Sequence, residues 1–254
     1  MPEPGRLALT WIGHSTVLLE LDGRRFLTDP LLRTRVAHLR RTEPIDAGDL
    51  ERLDAVLISH GHYDHLDVSS LRKLDPAVPV VAPAHLASVL RRAGRRQIVE
   101  ARAGDDLGFG SVTVRATPAE HRGGGGLRRG EEAVGFLLRG STSVYFAGDT
   151  DLFDGMSDLA PVDLALLPVW GWGRSLGAGH LDPRRAATAV SLLEARAAIP
   201  IHWGTYRPLH RREDAADEPA REFRQAVAQV APETRVEVLA PGDTLDLASV
   251  GAAP

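Results

Sequence analysis

The chain has 254 residues, 43% of them hydrophobic and 25% charged, with a formal net charge of −4. That length supports a sizeable core, and the charge balance builds no basic field for nucleic acid, so no nucleic-acid partner is expected. No cysteine is present, which excludes disulfides, thiolate-bound zinc, iron–sulfur clusters and thiol nucleophiles.

Residues 1–6 carry no apolar signal core, and no run of the sequence reaches membrane-spanning length. The expectation is a cytoplasmic protein without an integral membrane segment, built as a single domain over residues 1–254. Basic residues are nearly all arginine, Lys73 being the only lysine. Pairs such as Arg91-Arg92 and Arg95-Arg96 read as solvated faces near a helix end.

The opening reads as strands at 7–11 and 16–21, then an Asp22-Gly23 hairpin turn into a third strand at 25–28. Between the first two strands lies a tight polar corner, Ile12-Gly13-His14-Ser15. After Asp29-Pro30, an Arg-rich segment to about residue 46 shows no periodicity and reads as a surface loop or a flap facing the substrate. Ala55-Val56-Leu57-Ile58 is a short buried strand.

Directly after it comes Ser59-His60-Gly61-His62-Tyr63-Asp64-His65, with four metal-ligand side chains in six positions. A strand end, a turn eased by Gly61 and a following helix start can converge imidazoles and a carboxylate on one point; one continuous helix could not. Crowding these groups without a cation would desolvate them to no purpose. Imidazole and carboxylate are ordinary ligands of zinc and its neighbours.

Further along, strands are expected at 78–81, 98–100, 111–117, 133–139, 143–147, 163–168, 198–201, 235–239 and 244–247. Helices are expected at 84–93, stopped by Gly94, from Pro183 to about 195 behind the N-cap Asp182, and at 215–230. The four glycines at 123–126, among Arg122, Arg128 and Arg129, form a loop that is either a tolerated insertion or a lid. Strands followed by strands alternating with helices predict an α/β sandwich of two mixed sheets faced by helices.

His60, His121, Asp149 and His202 each stand just past a predicted strand, where layered α/β folds place ligands. With His62, Asp64 and His65 they make seven ligand-type side chains, enough for two metals sharing one carboxylate. A water shared by two cations loses its proton near neutral pH and becomes a strong nucleophile, so hydrolysis is the expected reaction class.

These residues resemble the metallo-β-lactamase superfamily, and within it the branch of the N-acylphosphatidylethanolamine-hydrolysing phospholipase D. The stretches that carry the resemblance are Thr10-Trp11-Ile12-Gly13-His14-Ser15-Thr16, Leu27-Thr28-Asp29-Pro30, Asp54 to His60, His180-Leu181-Asp182-Pro183 and Ile201-His202-Trp203-Gly204-Thr205. The resemblance implies an αβ/βα four-layer sandwich with a dinuclear site of divalent ions, usually Zn2+, with Mn2+ or Fe2+ as alternatives. His60, His62 and His121 would hold one ion, Asp64, His65 and His202 the other, and Asp149 would bridge.

Asp64 is thereby also a catalytic residue. His180, before a helix start, reads either as the acid that protonates a leaving group or as a cap. Asp29 reads as a partner of a ligand histidine or as a turn residue before Pro30. The resemblance turns His14 towards the site, and Trp170 and Trp172 are candidates to wall the pocket. The expected reaction is hydrolysis of a phosphodiester in a small molecule or lipid head group. A lactonase or other carboxylic ester hydrolase would use the same site. A non-catalytic metal-binding scaffold or sensor is the reading from a different class, and seven ligands plus His180 exceed the four of a closed structural site.

Overall fold

The computed structural model of the protein describes residues 7–44, 49–121, 132–170, 179–208 and 217–247. The chain starts with an antiparallel meander, β1 (Leu7–Gly13), β2 (Thr16–Leu21) and β3 (Arg24–Thr28). Asp22 and Gly23 both take positive φ at the hairpin, the geometry that matches the twist of the flanking strands. Two very short strands follow, β4 (Arg35–Val36) and β5 (Leu39–Arg41). Then β6 (Ala55–Leu57), α1 (Val68–Leu71), β7 (Val80–Pro83), α2 (Ala87–Arg92) and β8 (Ile98–Ala101) alternate.

A second meander, β9 (Asp106–Phe109), β10 (Val112–Pro118), β11 (Val134–Arg139) and β12 (Ser143–Phe146), opens the other half. It continues into β13 (Leu164–Pro168), α3 (Pro183–Leu192), β14 (Ala197–Ile201), β15 (Tyr206–Pro208), α4 (Glu218–Val230), β16 (Arg235–Val236) and β17 (Thr244–Asp246).

Two seven-stranded mixed sheets result, in the orders β17-β1-β2-β3-β6-β7-β8 and β16-β14-β13-β12-β11-β10-β9. Side-chain alternation builds the layers. In the first sheet Leu9, Trp11, Leu19, Phe26 and Leu57 enter the large core shared with the second sheet. Their neighbours Ile12, Leu18, Leu27 and Val56 face the other way, onto Leu71 of α1 and Leu90 of α2. Helices α3 and α4 add Ala186, Val190, Ala220, Phe223 and Val227 to the large core. This is the α/β sandwich of two mixed sheets expected from the sequence.

Strand direction decides where chemistry can gather. In the first sheet β3 is parallel to β6, and two antiparallel steps make β1 parallel to β3. In the second, β12 is parallel to β13 and β13 to β14, while β10 lies two antiparallel steps from β12. Thus β1, β3 and β6 share one direction, as do β10, β12 and β14. Their C-terminal ends lead to His14, Asp29, His60, His121, Asp149 and His202.

Some expectations shift. The Arg-rich segment is a hairpin of β4 and β5 that pairs with β15, opposing Tyr206 to Arg41. It has its own small core of Leu31, Val36, Leu39 and Tyr206. Strands of two or three residues are too short to show a period, so the sequence could not announce them. The helix expected at 84–93 is a 3-10 turn at Ala84–Leu86 running into α2, and β9 was not anticipated. Asp182 caps α3 as expected, accepting from the backbone N–H of Arg184 (2.9 Å) and Arg185 (2.8 Å), but the helix ends at Leu192. The glycine loop at 123–126, with Arg122, Arg128 and Arg129, lies outside the described residues, as do Trp172 and His210. No helix among the described residues is long and apolar enough to cross a membrane.

Candidate metal centre

The densest ligand stretch folds as a turn between β6 and α1. The backbone N–H groups of His65 and Leu66 both donate to the carbonyl of His62 (3.0 and 2.8 Å), which folds Asp64 and His65 back towards His60. Asp67 then starts α1, accepting from the backbone N–H of Ser70 at 2.8 Å. Across the sandwich, Gly148 has φ +62, and a Cβ there would stand 2.6 Å from the Cβ of Ser59. Only glycine combines that conformation with that approach, which brings Asp149 against the histidine turn.

Eight donor-bearing side chains meet in two groups. His60, His62, His121 and Asp149 each offer one atom, all within 4.8 Å of one another, and so do His14, Asp64, His65 and His202. Asp149 reaches the second group as well, with Oδ2 3.2 Å from His65 Nε2 and Oδ1 3.4 Å from His202 Nε2. Asp64 Oδ2 lies 3.0 Å from His14 Nε2 and 3.6 Å from His202 Nε2. Imidazole nitrogens also face each other, His121 Nε2 to His62 Nδ1 at 3.1 Å and His65 Nε2 to His202 Nε2 at 3.2 Å.

Two imidazole nitrogens at that separation need a hydrogen or a metal ion between them, because two lone pairs repel. In addition, Nε2 of His60 and Nε2 of His62 are buried without a hydrogen-bond partner among the described residues. Orphaned buried nitrogens are rare in folded proteins, and both of these belong to residues of the first group, each of which offers a donor atom within 4.8 Å of the others. The donor set is nitrogen and oxygen only, which suits zinc, manganese or iron. The residues present therefore fit divalent ions.

The electrostatics of the two groups differ. Burial, reinforced by the neighbouring His65, holds His60 well below the usual imidazole pKa, and burial with His121 lowers His62 to about 4. Burial lowers His121 too. At His65 and His202 burial pulls the same way, but the carboxylates outweigh it: Asp149 and Asp64 raise both pKa values. Burial would raise Asp64 and Asp149, yet the surrounding imidazoles hold both carboxyls well below their usual range, His65 foremost at Asp64 and His202 at Asp149. The carboxylates thus demand positive charge beside His65, which a divalent ion supplies without a proton.

Residues 24–203 match the Beta-lactamase superfamily domain. The chain belongs to the metallo-β-lactamase superfamily. It is 33% identical over 245 residues to a UPF0173 metal-dependent hydrolase of Caldivirga maquilingensis, covering 94% of this chain and 97% of that protein. It is 31% identical over 229 residues to N-acyl-phosphatidylethanolamine-hydrolyzing phospholipase D 1 of Caenorhabditis elegans, covering 79% of this chain but only 64% of the worm enzyme. Among solved structures, Igni18, a metallo hydrolase of Ignicoccus hospitalis, superposes with a TM-score of 0.71 at 25% identity, covering 95% of this chain and 98% of that one. The protein is a metal-dependent hydrolase of this superfamily.

Around this superfamily centre a second ring of contacts orients the imidazoles. Asp29, fully buried, accepts from His65 Nδ1 (2.7 Å), from the backbone N–H of Ser59 (2.8 Å) and from Ser59 Oγ (2.5 Å). Burial raises its pKa, and the contacts with His65 and Ser59 oppose the rise. His60 Nδ1 sits 3.0 Å from Ser59 Oγ. His121 Nδ1 donates to the carbonyl of Gly179 (2.9 Å) and His202 Nδ1 to that of Trp170 (2.6 Å). Such contacts turn the other nitrogen of each ring inwards.

All seven side chains expected as ligands meet here, and so do Asp29, His14 and His180. His180 stands at the rim, its Nε2 3.8 Å from Asp149 Oδ2, its ring edge-on to His121 at 4.8 Å and its side chain 24% exposed. Trp170 takes part through its carbonyl, while its partly buried ring packs against the large core. His38 is exposed at the β4–β5 hairpin, and His85 lies behind Gly61, outside both groups. Sequence reasoning gave Ser59 no role, and the only signal for it was its place directly before His60. The carbonyls of Gly179 and Trp170 have no side-chain signature at all.

Proposed function

We propose that the protein is a dinuclear phosphodiesterase acting on a small molecule or lipid head group. His60, His62 and His121 would hold one ion, Asp64, His65 and His202 the other, with Asp149 shared and zinc the expected metal. The observation that carries this reading is Asp149, whose two oxygens reach towards both groups of imidazoles. When bound, two such ions supply Lewis acidity and activate water near neutral pH.

The chain's own residues supply the rest. Asp29 and Ser59 hold the rings of His65 and His60 in orientation. Burial keeps His60, His62 and His121 neutral, so their lone pairs are available without loss of a proton. His180, at the rim and beside Asp149, is placed to hand a proton from Nε2 to a departing oxygen. The phosphodiester is favoured by the relation to the worm protein, whose name is that of a phospholipase D.

The test compares cleavage of a chromogenic phosphodiester with opening of a simple lactone by metal-reconstituted protein, with His62→Ala as the blank. Faster phosphodiester cleavage is expected; faster lactone opening would transfer the site to acyl chemistry. His180→Ala should lower phosphodiester turnover by about 10²- to 10⁴-fold with metal content unchanged. A loss of metal instead would make His180 a ligand.

A further inference from the structure

Three residues of the centre have backbones that their side chains disfavour. His14 (φ 57), Asp29 (φ 33) and His202 (φ 63) lie in left-handed conformations. The remaining described non-glycine residues of positive φ, Asp22, Ala37, Arg52 and Glu194, are at turns and bends of the surface. Backbone strain persists only where the surroundings over-determine it, and it concentrates where geometry matters to function. Asp29 is accounted for by His65 and Ser59, and His202 by its place among the expected ligands. His14 has no assigned task.

The corner that carries His14 is built to one shape. Gly13 before it has φ +127, and a Cβ there would meet Thr205 Cγ2 at 2.7 Å and an Arg41 nitrogen at 2.9 Å. The backbone N–H of His14 donates to Thr205 Oγ1 at 2.7 Å. Its carbonyl accepts from Trp11 Nε1 at 2.9 Å and from the backbone N–H of His202 at 3.0 Å. The ring is 1% exposed. Its centroid lies 3.8 Å from that of His202, and Tyr206 stands edge-on to it at 5.8 Å. Its Nε2 reaches Asp64 Oδ2 at 3.0 Å.

The direction of that last hydrogen bond follows from chemistry. A carboxylate only accepts, so across the 3.0 Å contact the hydrogen belongs to His14 Nε2. A nitrogen carrying that proton has no lone pair for a metal. It fixes Asp64 Oδ2, the oxygen that also faces His202 Nε2 at 3.6 Å and His65 Nε2 at 3.7 Å, while the same ring lies against His202.

We propose that His14 is a positioning residue that holds Asp64 and His202 together in the geometry of the second ion without ligating it. This rests on the dinuclear reading above. His14 spans donors from the two halves of the chain, Asp64 before α1 and His202 after β14, so one side chain sets their separation.

The test measures metal content and chelator-competition affinity, with the visible spectrum of the Co2+-substituted protein, for wild type, His14→Ala, His14→Gln and His62→Ala. Glutamine places an N–H donor near the position of Nε2. His14→Ala should weaken one of two ions by about 10- to 100-fold, and His14→Gln should recover most of that affinity with a wild-type Co2+ spectrum. Thr205→Val, which loosens the corner but keeps the imidazole, should weaken the same ion by a smaller factor. Thermal unfolding of the metal-free proteins checks that each variant folds.

Wild-type affinity and spectrum in His14→Ala would overturn the proposal. Loss of the ion with a changed spectrum in both His14→Ala and His14→Gln would also overturn it, making His14 a ligand. Unchanged metal content in His62→Ala would instead defeat the dinuclear reading, an outcome separate from either result at position 14.

Discussion

The two groups of donors that share Asp149 solve the burial of charge in opposite ways. His60, His62 and His121 are imidazoles whose pKa values are all pushed down, burial being the main cause, and His121 is only partly buried. They stand neutral and ready to coordinate. In the other group, His65 and His202 are buried as His60 is, but Asp149 and Asp64 outweigh burial and push their pKa values up. Without metal this side retains positive charge of its own. On the proposed dinuclear reading the first group would only have to gain an ion, whereas the second would have to exchange a proton for one.

The strongest way to break this comparison is to remove one ligand from each side. His62→Ala and His65→Ala should each lower hydrolysis by on the order of 10²- to 10³-fold, the scale seen when a single charge-stabilising group is lost. Each should retain one ion, but a different one. If both variants keep the same ion, as read from their Co2+ spectra, the division into two groups is wrong. A smaller perturbation is Asp29→Asn. It leaves the donors in place but removes the carboxylate behind His65, and should weaken the second ion by about 10- to 100-fold. Affinity for the first ion should stay near wild type in the same titration, and an equal loss at both ions would contradict the contrast.

The gentlest probe is pH. His62 has its pKa lowered to about 4, and burial lowers His60 and His121 as well, so around neutrality the first group stands neutral. His65 has its folded-state pKa raised above 6.5, so around neutrality the metal-free protein holds a proton there that the second ion must displace. Affinity for the second ion should therefore rise with pH, by about tenfold per unit for one proton released, until pH passes the raised pKa. Affinity for the first should be nearly flat over the same range. Isothermal titrations in buffers of different ionisation enthalpy would count the released proton directly, and parallel pH slopes for both ions would refute the assignment.

Much of this was legible in the sequence because the donors obey a local rule. His60, His121, Asp149 and His202 each follow a strand, and the strand direction that puts those ends together follows from the alternation of hairpins and crossovers. The H-x-H-x-D-H run announced itself by crowding alone. What stayed hidden falls into three physical kinds. The β4–β5–β15 sheet is made of strands too short to have a period. Ser59 and the carbonyls of Gly179 and Trp170 act through backbone or a common hydroxyl, which no residue pattern marks. The resemblance turned His14 towards the site, but its contacts with Thr205 and His202 need the β1–β2 corner to meet residues far along the chain, and nothing near it in sequence shows that they do.

On the proposed reading one carboxylate, Asp149, is common to two ion sites. The most direct test is the number of metal ions per chain in wild type and Asp149→Ala, measured by mass spectrometry of metals after dialysis against metal-free buffer at neutral pH. Two ions are expected in wild type and one or none in the variant, with affinity for any remaining ion reduced. One ion in wild type, or two in Asp149→Ala, would contradict it.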